Sequence, residues 1–69
     1  MNIAILKSFI VRYDGTQAAL ASAMDISLSR LNAKINETSG AEFTQSEIDF
    51  IRLRYQLSPE DINDIFFSR

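Results

Sequence analysis

The chain has 69 residues, with seven Lys+Arg against nine Asp+Glu, a net charge of −2 and a pI near 4.8. It carries neither cysteine nor histidine, which excludes disulfides, thiol chemistry and the usual nucleophile–base pairs and transition-metal ligands. Its 46% hydrophobic content suits a folded core better than disorder, and no run approaches the ~18 apolar residues of a membrane span.

Ile3, Leu6, Phe9, Ile10 and Tyr13 recur at helical spacing and predict an amphipathic helix over 3–13. Asn2 is its N-cap and Asp14-Gly15 its stop. This apolar start lacks a basic n-region and a small-residue cleavage site, so it reads as a helix and not as a signal peptide. Thr16 caps a second helix, "QAALASAM", whose alanines favour helix and whose Leu20, Ala23 and Met24 form a narrow apolar face. Asp25 falls where the chain must turn, in a conformation that Asp tolerates less well than Gly. Ser27 caps a third helix with Leu31 and Ile35 facing inward.

"NETSGAE" reads as a polar loop. Thr44 to Glu47 then forms a capping box, and Phe43 and Ile48 are placed as a hydrophobic staple. Ile48, Ile51 and Tyr55 stack at i, i+3 and i+7, with Phe50 and Leu53 broadening the apolar surface. Ser58 caps a last helix, "PEDINDIFF". It has Pro59 at the first position, acids in the first turn and Leu57 placed to staple Ile62. The expectation is an all-α, five-helix single domain over residues 1–69, with no strand and no linker long enough to split it.

The second and third helices, with their short connection, have the spacing of a helix-turn-helix. Gln17 opens the first helix of the pair, Ala21 occupies the crossing where only a small side chain fits, and Ile26 plugs the turn. A plain helical hairpin without a ligand is the alternative reading of the same residues.

"GTQAALASAMDISLSRLNAKIN" followed by "FTQSEIDFIRLRYQLSPEDINDIFF" resembles the small Cro-like helix-turn-helix proteins of temperate phages of Gram-positive bacteria, and among them the antirepressors known as modulators of repression. The resemblance covers essentially the whole chain, and the "SPEDINDIFF" ending is a distinctive part of it. It implies a Cro/repressor-like five-helix fold and a role in the host cytoplasm. For the antirepressors it implies binding to the N-terminal DNA-binding domain of the phage CI repressor and a part in the lytic–lysogenic choice. For the broader class it implies repression by direct operator binding. Neither role needs an enzyme activity, cofactor, metal, membrane or small-molecule substrate.

In such proteins the second helix of the pair carries the recognition face. Here that face comprises Leu28, Ser29, Asn32, Ala33 and Asn36, with Ser27 as cap, Asp25 and Glu37 at its two ends and Gln17 on the preceding helix. DNA readers often place Gln, Asn or Arg at these positions to reach base edges. Asn32 and Asn36 fit that habit; Leu28 and Ala33 do not. Leu28 also lies three and seven residues before Leu31 and Ile35, so it reads equally as the edge of the core. Family proteins commonly carry Gly at the turn where Asp25 stands.

Charge points the same way. Residues 1–43 hold Lys7, Arg12, Arg30 and Lys34 against Asp14, Asp25, Glu37 and Glu42, and residues 44–69 hold Arg52, Arg54 and Arg69 against five acids. Affinity for DNA rests largely on neutralising phosphates, so weak binding alone, or binding only together with CI, is the expectation. An apolar patch with amides beside it suits another protein's surface, and acids at its rim would complement a basic one. Arg52 and Arg54 read as a solvated helix face. The terminal "FF" reads as core, with self-association possible through any exposed part of Phe66, Phe67 or Tyr55.

Overall fold

Each helix in the structure, a computed structural model that describes residues 1–67, begins at a side chain able to satisfy its first free N–H groups. Asn2 Oδ1 accepts from the Ile5 N–H at 3.2 Å and opens α1, Ile3–Tyr13. Thr16 Oγ1 accepts from Ala19 at 3.1 Å and opens α2, Gln17–Met24. Ser27 Oγ does the same for Arg30 at the start of α3, Leu28–Asn36. Thr44 and Glu47 close a reciprocal capping box on α4, Gln45–Tyr55. Ser58 and Asp61 close another on α5, Pro59–Ile62. All five predicted caps are in place, and each contributes about 1 kcal/mol. Among the described residues every regular element is helical.

Two details differ from the expected elements. The polar loop after α3 contains a single tight turn, Thr38–Gly40, in which Ser39 and Gly40 both have positive φ. The last helix does not run uniformly to Phe67: α5 passes into a wider π turn, Asn63–Phe67. In that turn Ile65 is fully buried, and its carbonyl accepts the Asn2 N–H at 2.6 Å, tying the two ends of the described chain together.

The core takes residues from every element. Leu6 and Ile10 of α1, Leu20 and Ala21 of α2, Leu31 and Ile35 of α3, Ile51 and Tyr55 of α4, Leu57 and Ile65 form one buried cluster, with Ile62 of α5 packed against it. Ala21 is buried as expected of a helix crossing. The Cα radius of gyration, 10.9 Å, matches the roughly 11 Å of a compact chain this long.

One polar junction sits inside this apolar frame. Asp14, just past the end of α1, receives Arg54 Nη2 at 2.6 Å and Arg54 Nε at 3.1 Å, together with the Tyr55 hydroxyl. Arg54 is exposed, as the sequence suggests, but its guanidinium is committed to Asp14 and is not a free cation. Tyr55 is buried, with no exposed part left for self-association. Its ring stacks on Tyr13 at 5.4 Å and on Phe9 at 6.5 Å. The hydrogen bond from Arg54 holds the Asp14 carboxyl below the usual carboxylate range, overcoming the opposite push of burial. Burial, and then the Asp14 carboxylate beside it, push the Tyr55 hydroxyl well above its ordinary value.

Asp14→Ala leaves the Tyr55 hydroxyl buried without a partner, and we expect a loss of roughly 1–3 kcal/mol, read as a lower urea midpoint with an unchanged m-value. Because the folded-state Asp14 pKa lies below the unfolded value, its stabilisation is complete above the unfolded pKa of about 4 and vanishes as pH falls through the folded one. Acid titration of stability in the wild type should therefore be steeper below about pH 4 than in the alanine variant.

Candidate functional site

α2 and α3 pack against each other across a three-residue connection, Asp25 to Ser27. The connection is built by hydrogen bonds that wrap the end of α2: the Asp25 N–H donates to the Ser22 carbonyl at 3.1 Å and the Ile26 N–H to the Ala21 carbonyl at 3.0 Å. This pairing is the Schellman arrangement, which needs a left-handed residue at the turn. Asp25 supplies it, with φ +59° and ψ +41°. Ile26 is half-buried against the core, so it does fill the turn.

α3 divides cleanly. Leu31 and Ile35 are fully buried. Leu28 is 44% exposed, which settles its position on the outer side and not at the core edge. Ser27, Ser29, Asn36, Asp25 and Glu37 are also exposed, whereas Asn32, Ala33 and Gln17 are half-buried and lie at the margins. The nine candidate residues thus do not share one prominence: Leu28 and Ser29 stand out, and Ala33 stands back. Glu37 ends α3 in a left-handed conformation, 3.8 Å from the amino terminus.

Lys34 behaves unlike any residue of the expected surface. It is 5% exposed, and its Nζ donates to Glu47 Oε1 at 2.9 Å and to the Glu42 carbonyl at 3.1 Å. Glu47 is the same carboxylate that closes the α4 capping box. Burial alone would raise its pKa, but the Thr44 N–H and the Lys34 ammonium outweigh that and leave it lowered. The signal was present in the register: Lys34 lies three residues after Leu31 and one before Ile35, on the inner stripe of α3. Arg30 is consequently the one exposed cation on α3, while Asp25, Glu37 and Glu42 are exposed acids on the segments that flank the helix.

The loop after α3 also folds back beside it. Ser29, Arg30 and Ala33 on one side and Gly40, Glu42 and Thr44 on the other bound an open groove of about 680 Å³. By sequence Glu42 is a loop residue and Thr44 a helix cap, and nothing local in the sequence places either next to α3. Among the described residues, no group of three or more carboxylates is gathered to hold a metal ion, and no helix is long and apolar enough to cross a membrane.

Comparison with protein-family models, with curated proteins and with solved structures finds no match for this chain.

Asp25→Gly removes the Cβ penalty of the left-handed turn and an exposed charge. We expect it to raise stability by about 1 kcal/mol, seen as a higher melting temperature with unchanged helical circular dichroism.

Proposed function

We propose that this chain is a phage antirepressor, acting in the host cytoplasm by laying α3 over the DNA-reading surface of a CI-type repressor's N-terminal domain. The observation that carries this reading is the make-up of the exposed side of α3. Leu28 projects there with a single cation, Arg30, because Lys34 is withdrawn into an ion pair with Glu47. A surface that neutralises phosphates needs several available cations. This one instead offers an apolar centre with acids at Asp25 and Glu37 on its rim.

A repressor's own recognition surface must be basic to bind DNA. Acids around an apolar contact complement it, steering the encounter and disfavouring wrong partners. Leu28 supplies the desolvated contact, and Ser29 and Asn36 supply hydrogen bonds beside it. Inhibition is then steric: the repressor cannot hold its operator while its reading helix is covered. No bond is made or broken, so no catalytic group is required. The α2–connection–α3 unit serves as a helix-turn-helix turned toward protein instead of DNA.

Fluorescence anisotropy on operator DNA tests the proposal, using this protein alone, the repressor alone and the mixture. Addition of this protein should release the repressor, while this protein alone leaves the DNA unbound at nanomolar concentration. Tight binding alone, with a steep salt dependence, would instead make it a direct operator-binding repressor. Leu28→Asp should weaken repressor binding by about tenfold or more. Unchanged binding would remove Leu28 from the interface.

A further inference from the structure

Lys34 is hidden but not sealed in. It is buried, yet it also lines the open groove between α3 and the segment before α4, as Arg30 does. The two residues stand four apart, which makes them neighbours on one side of the helix. Ser27, Ser29 and Thr44 line the same groove. Arginine, lysine and hydroxyl side chains are the groups that contact phosphate oxygens in DNA complexes. The materials of a phosphate contact are therefore assembled beside α3, with one of the two cations held back.

A single carboxylate holds it. Glu47 Oε1 accepts from Lys34 Nζ at 2.9 Å and from the Thr44 N–H at 2.8 Å. The second bond pins the carboxylate to the start of α4, and the first balances the lysine charge. The other partner of Lys34, the Glu42 carbonyl at 3.1 Å, is neutral. Without the charge of Glu47 the ammonium would be buried with no counter-ion, a strongly unfavourable state. A lysine relieves it by carrying its head to water on a flexible stem, and the groove is open to it.

We propose that Glu47 sets the specificity of α3: by keeping Lys34 inside, it denies the helix a second phosphate-binding cation and so discriminates against DNA. Glu47 acts from another helix and through Lys34, as a positioning residue. One carboxylate thereby starts α4 and disarms α3. The inference rests on α3 being the recognition helix of the reading above, but it does not require that the partner be a repressor.

Glu47→Gln is the test variant. Glutamine also completes a capping box, so α4 keeps its start and its circular dichroism, while the charge that holds Lys34 is gone. Anisotropy of a random-sequence DNA duplex, titrated with the full chain over a salt series, gives the slope of log K against log salt. The variant should bind more tightly at low salt than the wild type. Its slope should be steeper by about 0.9, the amount that one further phosphate contact adds on B-DNA. Adding Lys34→Gln should return the slope to the wild-type value. Glu42→Gln changes the net charge equally beside the same groove but leaves Lys34 held, and its slope should match the wild type. Glu47→Asp guards against a folding failure: Asp61 closes the α5 box, so aspartate can cap α4, but it reaches one methylene less far toward Lys34. It should move the slope in the same direction by less. Limited acetylation read by mass spectrometry locates the lysine itself, with the exposed Lys7, the only other lysine, as internal reference. Lys34 should react far more slowly than Lys7 in the wild type and approach it in Glu47→Gln. An unchanged slope or no gain of binding at low salt would overturn the proposal. So would a steeper slope that survives Lys34→Gln, an equal steepening by Glu42→Gln, or a Lys34 that stays protected in Glu47→Gln. Tight binding by the wild type would remove the antirepressor reading, while the change of slope between variants still decides the role of Glu47.

Discussion

The contact on which the rest of the arrangement depends is the one between Asp14 and the Arg54–Tyr55 pair. It joins the end of α1 to the end of α4, residues 40 positions apart in the chain. A carboxylate at a helix C-terminus faces the negative end of the helix dipole and is unfavourable there on its own. The guanidinium reverses that: its fork grips both carboxylate oxygens, a geometry that a lysine cannot reproduce. The tyrosine hydroxyl finds its partner in the same carboxylate, so its ring can be buried among Phe9 and Tyr13. With α1 and α4 fixed in this way, the remaining helices have a frame to pack against.

A second polar contact performs the corresponding task for α3. Among the described residues Lys34 is the only charged one that is buried, and it reaches across to the first turn of α4 and to the loop before it. Together with Leu31 and Ile35 it fixes which side of α3 faces out. The electrostatic character of the outer face therefore follows from an internal contact. Had Lys34 been free, α3 would present two cations and the balance would tilt toward phosphate. Because it is engaged, the outward surface is apolar at Leu28 and acidic at its ends.

The helices and their starts were legible in the sequence because their signals are local. Asn2, Thr16, Ser27, Thr44 and Ser58 each act on the N–H three residues on, and all five do so in the fold. The core stripe of Ile48, Ile51 and Tyr55 was legible for the same reason. What escaped was set by distance along the chain. Nothing near Arg54 announces Asp14, and nothing near Glu42 announces α3. Residue type alone makes Lys34 a surface cation, whereas its register places it inside. The wide turn at Asn63–Phe67 has no sequence signature that separates it from an ordinary helical end. The candidate face was legible as a set of positions. Its ranking, with Leu28 forward and Ala33 withdrawn, came only from the packing.

Three of the helices stop on a left-handed residue that is not glycine: Asp25 after α2, Glu37 after α3 and Gln56 after α4. Side chains with a Cβ resist that conformation by roughly 1–2 kcal/mol each, with Asp at the lenient end. The local chain therefore works against its own reversals, and long-range packing must offset the difference. A peptide cut to span only α2 and α3 would keep its caps and lose the contacts that hold its turn. The α2–α3 unit is in this sense a property of the whole molecule, and it should come apart together with the core instead of persisting as a separable module.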